Sequence, residues 1–233
     1  MTTSQTARER ARAVLTSEIK DAARRQLAVS GADGMSLRAV ARELGMVSSA
    51  LYRYFPSRDD LLTALIIDAY QALGDAAEAA DAAVERTDVR RRWCEICRAA
   101  RKWALAQPHE HALIYGSPVP GYQAPQDTVA QATRVPLALV AVLRDARAAG
   151  TLAPSDVSVM GLVLTRQLTQ LAATVAPELP APVLSRALMA WSQLFGMISF
   201  ELFGQFVGSV DPAEQFFDHA VDLVATFTGL PKH

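Results

Sequence analysis

Residues 36–62 read SLRAVARELGMVSSALYRYFPSRDDLL, and this stretch decides the fold. It contains two short helical patterns, one on each side of Gly45. Pro56 ends the second pattern, because a proline disfavours a helical conformation in the residue before it. Ser36 is placed to cap the first pattern, residues 37–44. Gly45 can adopt the left-handed conformation that a tight turn between helices needs. The stretch therefore predicts a helix-turn-helix.

Apolar stripes would hold these two short helices against each other. The stripe residues are Leu37, Val40, Ala41 and Leu44 on the first helix and Leu51 and Phe55 on the second. The outward side of the second helix is small, mostly uncharged and backed by an arginine. It consists of Val47, Ser48, Ser49, Ala50, Arg53 and Tyr54. A surface of this kind fits the major groove of duplex DNA.

The helical period of apolar residues continues through nearly the whole chain, without a convincing alternating strand pattern, so the predicted fold class is all-α. We expect residues 1–12 to form a flexible basic arm and residues 13–58 to form a three-helix DNA-binding domain. Residues 59–233 would form a helical ligand-binding and dimerisation domain. Within that domain, residues 59–80 would be a connector helix, and a later helix is predicted over 154–175.

Charge is distributed unevenly along the chain. Residues 1–58 contain ten Lys/Arg and five Asp/Glu, a net +5, whereas the remaining residues carry a net −6. A basic N-terminal region indicates that this end meets a polyanion, although a solvated basic face is the simpler alternative. No apolar run reaches the ~20 residues of a membrane span, and the polar start does not resemble a signal peptide. We therefore expect a cytoplasmic protein without a membrane partner.

The stretch 36–62 is similar to the DNA-binding signature of the TetR family, the relatives of the tetracycline repressor. The similarity rests on the Leu-Tyr-x-Tyr-Phe core at 51–55, the turn glycine and the Arg-Asp-Asp-Leu-Leu run at 58–62. The resemblance implies contacts to double-stranded operator DNA. Ser36 and Arg38 would touch a phosphate or a base edge. Bases would be read by Ser48, Ser49, Ala50 and Arg53, and phosphates would be bound by Tyr52, Tyr54 and Arg58.

The C-terminal two thirds resembles a WHG-type TetR C-terminal domain, which is named after a Trp, a His and a Gly. The supporting residues are the loop 116–122 and the segment 191–196. Trp191 and Gly196 match the pattern, but Phe195 stands at the histidine position. A polar role that the histidine has in relatives therefore does not transfer to this chain.

The last two helices are more apolar than a single buried face requires, which predicts a two-fold homodimer. The resemblance implies the same assembly. The alternative is that both helices are internal core. The expected interface residues are Trp191, Leu194, Phe195, Ile198, Leu202, Phe217, Val221 and Val224. A two-fold dimer favours a palindromic operator, with recognition helices about 34–36 Å apart.

The resemblance also implies a small-molecule effector, and the side chains available to line a pocket suit an apolar or aromatic one. The candidate lining residues are Trp93, Trp103, His111, Tyr115, Tyr122, Leu143, Gln167, Gln170 and Leu171. Ordinary core packing is the alternative for the apolar members, and internal hydrogen bonding for the polar ones. An effector bound there would move the connector helix and lower the affinity for DNA.

These features together predict a ligand-responsive transcriptional regulator, a repressor by family precedent, that is not an enzyme and needs no cofactor. One alternative is a helical ligand-binding or enzymatic protein with a vestigial DNA-binding domain. Another is a redox-sensing regulator that uses Cys94 and Cys97. These cysteines with His109 and His111 lack zinc-finger spacing, so we expect no metal site.

Overall fold

The computed structural model describes residues 3–154 and 160–232, and these residues contain helices and no strand. The helices are α1 (Thr3–Gly34), α2 (Leu37–Glu43), α3 (Ser48–Leu51), α4 (Arg58–Ala82), α5 (Val89–Ala106), α6 (Pro108–Tyr115), a short 3₁₀-helix (Gln126–Thr128), α7 (Val129–Ala132), α8 (Arg134–Ala148), α9 (Leu162–Val175), α10 (Ala181–Leu202) and α11 (Ala213–Thr228). The predicted all-α fold class is confirmed. None of the described helices is both long enough and apolar enough to cross a membrane.

The chain forms two compact units. Unit 1 consists of Met1–Tyr70 and Gln107–Val129, and unit 2 consists of Gln71–Ala106 and Ala130–His233. The division differs from the boundary that the sequence predicts after residue 58. The connector helix is present as α4, but its first half belongs to unit 1 and its second half to unit 2.

Unit 1 is built around the helix-turn-helix. Its core consists of Ile19, Ala22, Ala23, Met35, Leu37, Val40, Ala41, Leu51, Phe55, Leu61, Leu62 and Leu65. The apolar stripes predicted on the two short helices all point into this core, with Leu44 partly buried at its edge. Fully burying a side chain such as Leu51 stabilises the fold by about 1.5–3 kcal/mol, so the core fixes the angle between α2 and α3.

Helix α1 is longer than the sequence indicates. It begins at Thr3, so residues 3–12, which we expected to be a flexible arm, are helical; residues 1 and 2 lie outside the described residues. The physical reason is composition, because the first turns are rich in Ala, Arg, Glu and Gln, all strong helix formers. At its other end, α1 kinks at Gly31, where φ is 67°.

The segment 107–129 joins unit 1 through specific contacts. The Arg24 guanidinium in α1 binds the Glu110 carboxylate of α6 at 2.8 Å. The Tyr122 and Thr63 hydroxyls are hydrogen-bonded at 2.9 Å. Tyr122 also packs against the unit 1 core with Leu113 and Val119. A proline-rich loop has no helical period, so the sequence could not assign it to this core.

Unit 2 contains two buried arginines. Arg92 in α5 binds the Asp81 carboxylate at 2.7 Å, the Asp145 carboxylate at 2.7 Å and the Arg86 carbonyl at 3.2 Å. Arg90, two residues earlier, binds the Asp222 side chain at 2.7 Å. Buried guanidinium groups are retained only when their donors are satisfied. These contacts tie α4, α5, α8 and α11 together.

Helix α9 starts later than the sequence predicts. The predicted helix covered residues 154–175, whereas α9 begins at Leu162, and residues 155–159 lie outside the described part of the chain. Leu168 and Ala172 are buried, but Leu162 and Val163 are exposed. One face of α9 therefore packs inside unit 2 and its first turn faces solvent.

Candidate nucleic-acid interface

Local hydrogen bonds set the geometry of the helix-turn-helix. The Ser36 hydroxyl accepts from the Ala39 N–H at 3.4 Å and caps α2, as predicted. Gly45 has φ of 63°, which confirms its predicted left-handed conformation. The Met46 N–H donates to the Ala41 carbonyl at 2.8 Å, which satisfies a helix-end acceptor. The turn is therefore closed by the residues that the sequence singles out.

The second short helix is shorter than predicted. We expected it to run to Phe55, but α3 covers only Ser48–Leu51. The chain then continues in tight turns, in which the N–H groups of Tyr54 and Phe55 both donate to the Leu51 carbonyl, at 2.8 and 3.1 Å. Leu51 and Phe55 are buried and anchor the segment. The residues between them are consequently presented outward.

The residues predicted to contact DNA lie at the N-cap of α2 or on α2, on α3 and the turn after it, or at the start of α4. Exposed members are Arg38, Ser49, Tyr52 and Arg53, and half-buried ones are Ser36, Ser48, Ala50, Tyr54 and Arg58. Tyr52 is 43% exposed, so it is not a core aromatic. The exposed set combines hydroxyl groups with two guanidinium groups, which suits both base edges and phosphates.

Arg58 makes contacts within unit 1 that the sequence does not predict. The resemblance implies a phosphate contact, but the Arg58 Nη2 donates to the Ala32 carbonyl at 2.6 Å and its Nε donates to the Met35 carbonyl at 3.2 Å. Its Nη1 lies 3.8 Å from the Asp59 carboxylate. These bonds close the turn between α1 and α2. Arg58 therefore positions the start of α2 within unit 1.

Helix α1 contributes a part of this surface that the sequence does not predict. Arg12 lies with its guanidinium carbon 5.2 Å from the centre of the Tyr54 ring. Its Nη2 donates to the Arg53 carbonyl at 3.4 Å. The sequence does contain a signal for this surface, because Arg8, Arg12 and Leu15 have the i, i+4, i+7 spacing of one helix face. This spacing has a meaning only when residues 3–12 are helical.

Two family models match the chain. The model of the bacterial regulatory proteins of the tetR family matches residues 19–65, and a tetracyclin repressor-like C-terminal domain matches residues 93–224. The chain belongs to the TetR family. The family resemblance read from residues 36–62 is thereby confirmed. TetR-family membership makes this protein a DNA-binding transcriptional regulator.

Relatives of this TetR-family protein match along most of its length. HTH-type transcriptional regulator Rv1816 of Mycobacterium tuberculosis is 43% identical over 209 residues, which cover 85% of each chain. Regulator Mb1846 of Mycobacterium bovis matches to the same extent. Among solved structures, regulatory protein SCO4313 has a TM-score of 0.75 at 36% identity, over 94% of this chain and 98% of that one.

The residues predicted to line an effector pocket fall into three groups in this TetR-family chain. His111, Tyr115 and Tyr122 belong to unit 1, and Tyr122 is part of the packing against its core. Trp93 and Leu143 are buried in unit 2, and Trp103 is half-buried there. Gln167, Gln170 and Leu171 are exposed on α9. His111 is buried in unit 1, and the half-buried Tyr122 packs against the core of that unit, so both side chains contribute to its packing. The effector pocket stays a prediction.

His111 is fully buried in unit 1, with its ring centre 5.3 Å from that of Tyr115. Burial penalises the imidazolium and lowers the pKa of His111 from 6.5 to about 4. Between these two values, the unfolded chain binds a proton that the folded chain does not. His111 therefore contributes stability that is present above pH 6.5 and is lost as the pH falls toward 4.

We predict that acidification from about pH 7.5 to 5 lowers the free energy of unfolding through His111 by about 2 kcal/mol. The measurement is urea unfolding at both pH values and constant protein concentration. In His111→Phe this part of the pH dependence should disappear. The same substitution at exposed His109 should keep it. Equal pH dependence in wild type and His111→Phe would contradict the prediction.

The residues predicted to form the dimer interface are mostly inside the subunit. Leu194, Phe195, Ile198, Phe217, Val221 and Val224 are buried, and Trp191 and Leu202 are half-buried. The reason is that α10 packs against α5, α8, α9 and α11, and α11 packs against α5 and α10, so those faces are already covered. The six buried side chains therefore belong to the internal core of the subunit, which is the alternative interpretation of these two helices.

The two cysteines are free thiols in α5. Burial raises the pKa of the half-buried Cys94 above its ordinary value and raises that of the fully buried Cys97 much further. Because the thiolate is the reactive form, both thiols are poorly suited to oxidation chemistry. This disfavours the redox-sensing alternative.

Proposed function

We propose that this TetR-family regulator is a repressor that binds a palindromic operator as a homodimer and is released by a small-molecule effector. The observation that carries the proposal is the exposed tip of the helix-turn-helix, at Ser49, Tyr52 and Arg53. This tip is held by the buried anchors Leu51 and Phe55. A rigid anchor under an exposed polar tip is what major-groove reading requires.

DNA binding can be tested without a known operator sequence. Duplexes are selected from a random-sequence pool by the full-length protein, and the affinity for the selected duplex is measured by fluorescence anisotropy. We expect a two-fold symmetric consensus and an affinity that falls steeply with salt, because phosphate contacts release counterions. A protein that enriches no sequence at low salt would refute the proposed function.

Support for the homodimer comes from apolar side chains that unit 2 leaves exposed on its last two helices. They are Met189 and Phe200 on α10, Phe203 directly after it, and Phe216, Leu223 and Phe227 on α11. We call these six residues the outer stripe. A Cβ at Gly196, between Met189 and Phe200, would meet nothing within 4 Å, so this part of α10 is open to a close neighbour. A second copy that covers the outer stripe would form a four-helix interface.

We predict that Leu223→Glu separates the dimer, because it places a carboxylate among apolar side chains that would be desolvated on association. Sedimentation or light scattering should then report the mass of one 25.1 kDa chain instead of two. Val29→Glu, the same kind of change at an exposed site on α1, is the matched control and should leave the mass unchanged. A dimer that survives Leu223→Glu would place the interface elsewhere.

Support for an effector site comes from Trp93 in α5. Its indole Nε1–H has no hydrogen-bond partner among the described residues, although the side chain is only 1% exposed. An unsatisfied buried donor costs about 1–3 kcal/mol. An aromatic effector with a hydrogen-bond acceptor would recover this loss. Helix α4 begins in unit 1 and ends in unit 2, so it is one segment through which the bound effector should lower the affinity for DNA. An effector that binds tightly without changing DNA affinity would contradict this coupling.

A further inference from the structure

A groove in unit 1 lies between the first turns of α1 and the end of the recognition segment. Its volume is about 560 Å³, and it is lined by Arg8, Glu9, Ala11, Arg12, Leu15, Arg53 and Tyr54. Arg8, Ala11, Arg12 and Leu15 follow the i, i+3, i+4, i+7 spacing of one helix face. The whole face is therefore turned toward the segment that follows α3.

The groove is held together by Arg12. Its guanidinium faces the Tyr54 ring at 5.2 Å and donates to the Arg53 carbonyl at 3.4 Å. A guanidinium has five N–H donors, so these contacts leave most of them available. Arg53 belongs to the exposed tip of the helix-turn-helix, and Tyr54 directly follows it. The cationic groove is thus continuous with the proposed DNA-reading surface.

The charges of the groove favour an anion. Three guanidinium groups line it, and one carboxylate, that of Glu9, opposes them. Among the described residues, Arg8 has no ion pair and no hydrogen bond to its side chain, unlike Arg24 and Arg25 later on α1. An exposed guanidinium that the fold does not use is available to a phosphate.

We infer that this groove is a second DNA-binding site, in which Arg8 and Arg12 bind phosphates of the operator backbone beside the bases read by α3. The inference rests on the proposed DNA binding and adds contacts that the helix-turn-helix does not supply. The ligand is the phosphodiester backbone of duplex DNA. The site adds affinity and register without reading sequence.

The experiment measures the salt dependence of binding to a selected duplex of about 30 base pairs, long enough for two half-sites one helical turn apart. Each phosphate contact contributes about 0.9 to the slope of log K against log salt. For each subunit, Arg8→Ala/Arg12→Ala should lower the slope by about 1.8. It should also weaken binding at moderate salt, roughly tenfold. Alanine keeps the helix propensity of α1, so circular dichroism of the variant should match that of the wild type.

Three further variants separate a phosphate contact from a structural role. Arg10→Ala is the matched control, because Arg10 lies in the same helical turn but does not line the groove, and its slope should equal that of wild type. Arg12→Lys keeps the positive charge, so its slope of log K against log salt should stay close to that of the wild type. Glu9→Gln removes the opposing carboxylate and should strengthen binding.

The outcomes separate this inference from the proposed function. If the wild type binds the duplex but Arg8→Ala/Arg12→Ala keeps the wild-type slope, the groove is not a phosphate site, although the helix-turn-helix proposal stands. A loss of affinity at constant slope also overturns the inference, because it assigns Arg12 only to the positioning of Tyr54. If the wild type binds no duplex, the proposed function itself is wrong.

Discussion

Arg92→Ala should lower the free energy of unfolding by about 3 kcal/mol, because removing one partner of a buried ion pair leaves the others uncompensated. Arg92 is 1% exposed. Its loss leaves the Asp81 and Asp145 carboxylates, which are 18% and 27% exposed, without their guanidinium partner. Their partial access to water places the cost at the lower end of the range for buried pairs. Arg92 also joins three helices, so its loss loosens the packing of α5 within unit 2.

The measurement is urea unfolding at fixed protein concentration, since the stability of an oligomer depends on concentration. Arg91→Ala is the matched control: Arg91 is the preceding residue in α5 but is exposed, so its change should be within about 0.5 kcal/mol. Arg92→Lys should give an intermediate loss, because a lysine cannot reproduce the forked hydrogen bonds. If Arg91→Ala and Arg92→Ala have equal stabilities, the buried network does not stabilise unit 2.

Ser49→Glu should reduce the affinity for the selected operator at least 100-fold. Ser49 lies in α3 and is exposed at the tip that we propose enters the major groove. A carboxylate there would approach the phosphates and the acceptor-rich base edges, and like-charge juxtaposition across an interface costs several kcal/mol. The side chain has no role in the unit 1 core, so the fold should be unaffected.

Anisotropy with the selected duplex measures this effect. The control is Ser17→Glu, which makes the same change at an exposed position in the middle of α1 and should alter the affinity only slightly. Circular dichroism and unfolding of both variants should match the wild type. If Ser49→Glu binds as tightly as Ser17→Glu, the tip of α3 does not contact DNA, and the reading surface must be sought elsewhere on unit 1.

The DNA-binding half was the more predictable part of this protein because its signals are local. A cap at Ser36, a left-handed turn at Gly45 and a stop at Pro56 each act within a few residues, so the sequence could place them independently of the rest of the chain. The length of α1 was also encoded locally, in its helix-forming residues. The same segment is also polar and charged, which favours a flexible arm, so its two local signals predict different structures.

The roles of individual side chains outside the motif depended on partners distant in sequence. A periodic pattern shows that a helix has an apolar face, but it does not show which neighbour covers that face. For this reason α10 and α11 were correctly predicted as helices, while Leu194 and Val224 were wrongly assigned to their outer surface. The contacts of Arg58 likewise depend on distant residues, since Ala32 lies in the last turn of α1 and Met35 directly follows that helix.

The sequence by itself therefore determined the all-α class, the helix-turn-helix and the TetR-family membership, because each follows from short-range spacing of residue types. The tertiary structure decided which apolar residues are core and which form the outer stripe. It also placed the loop after α6 in unit 1 and brought Arg12 against Tyr54. These outcomes depend on contacts between residues far apart in the chain, whose geometry is fixed only when the helices pack.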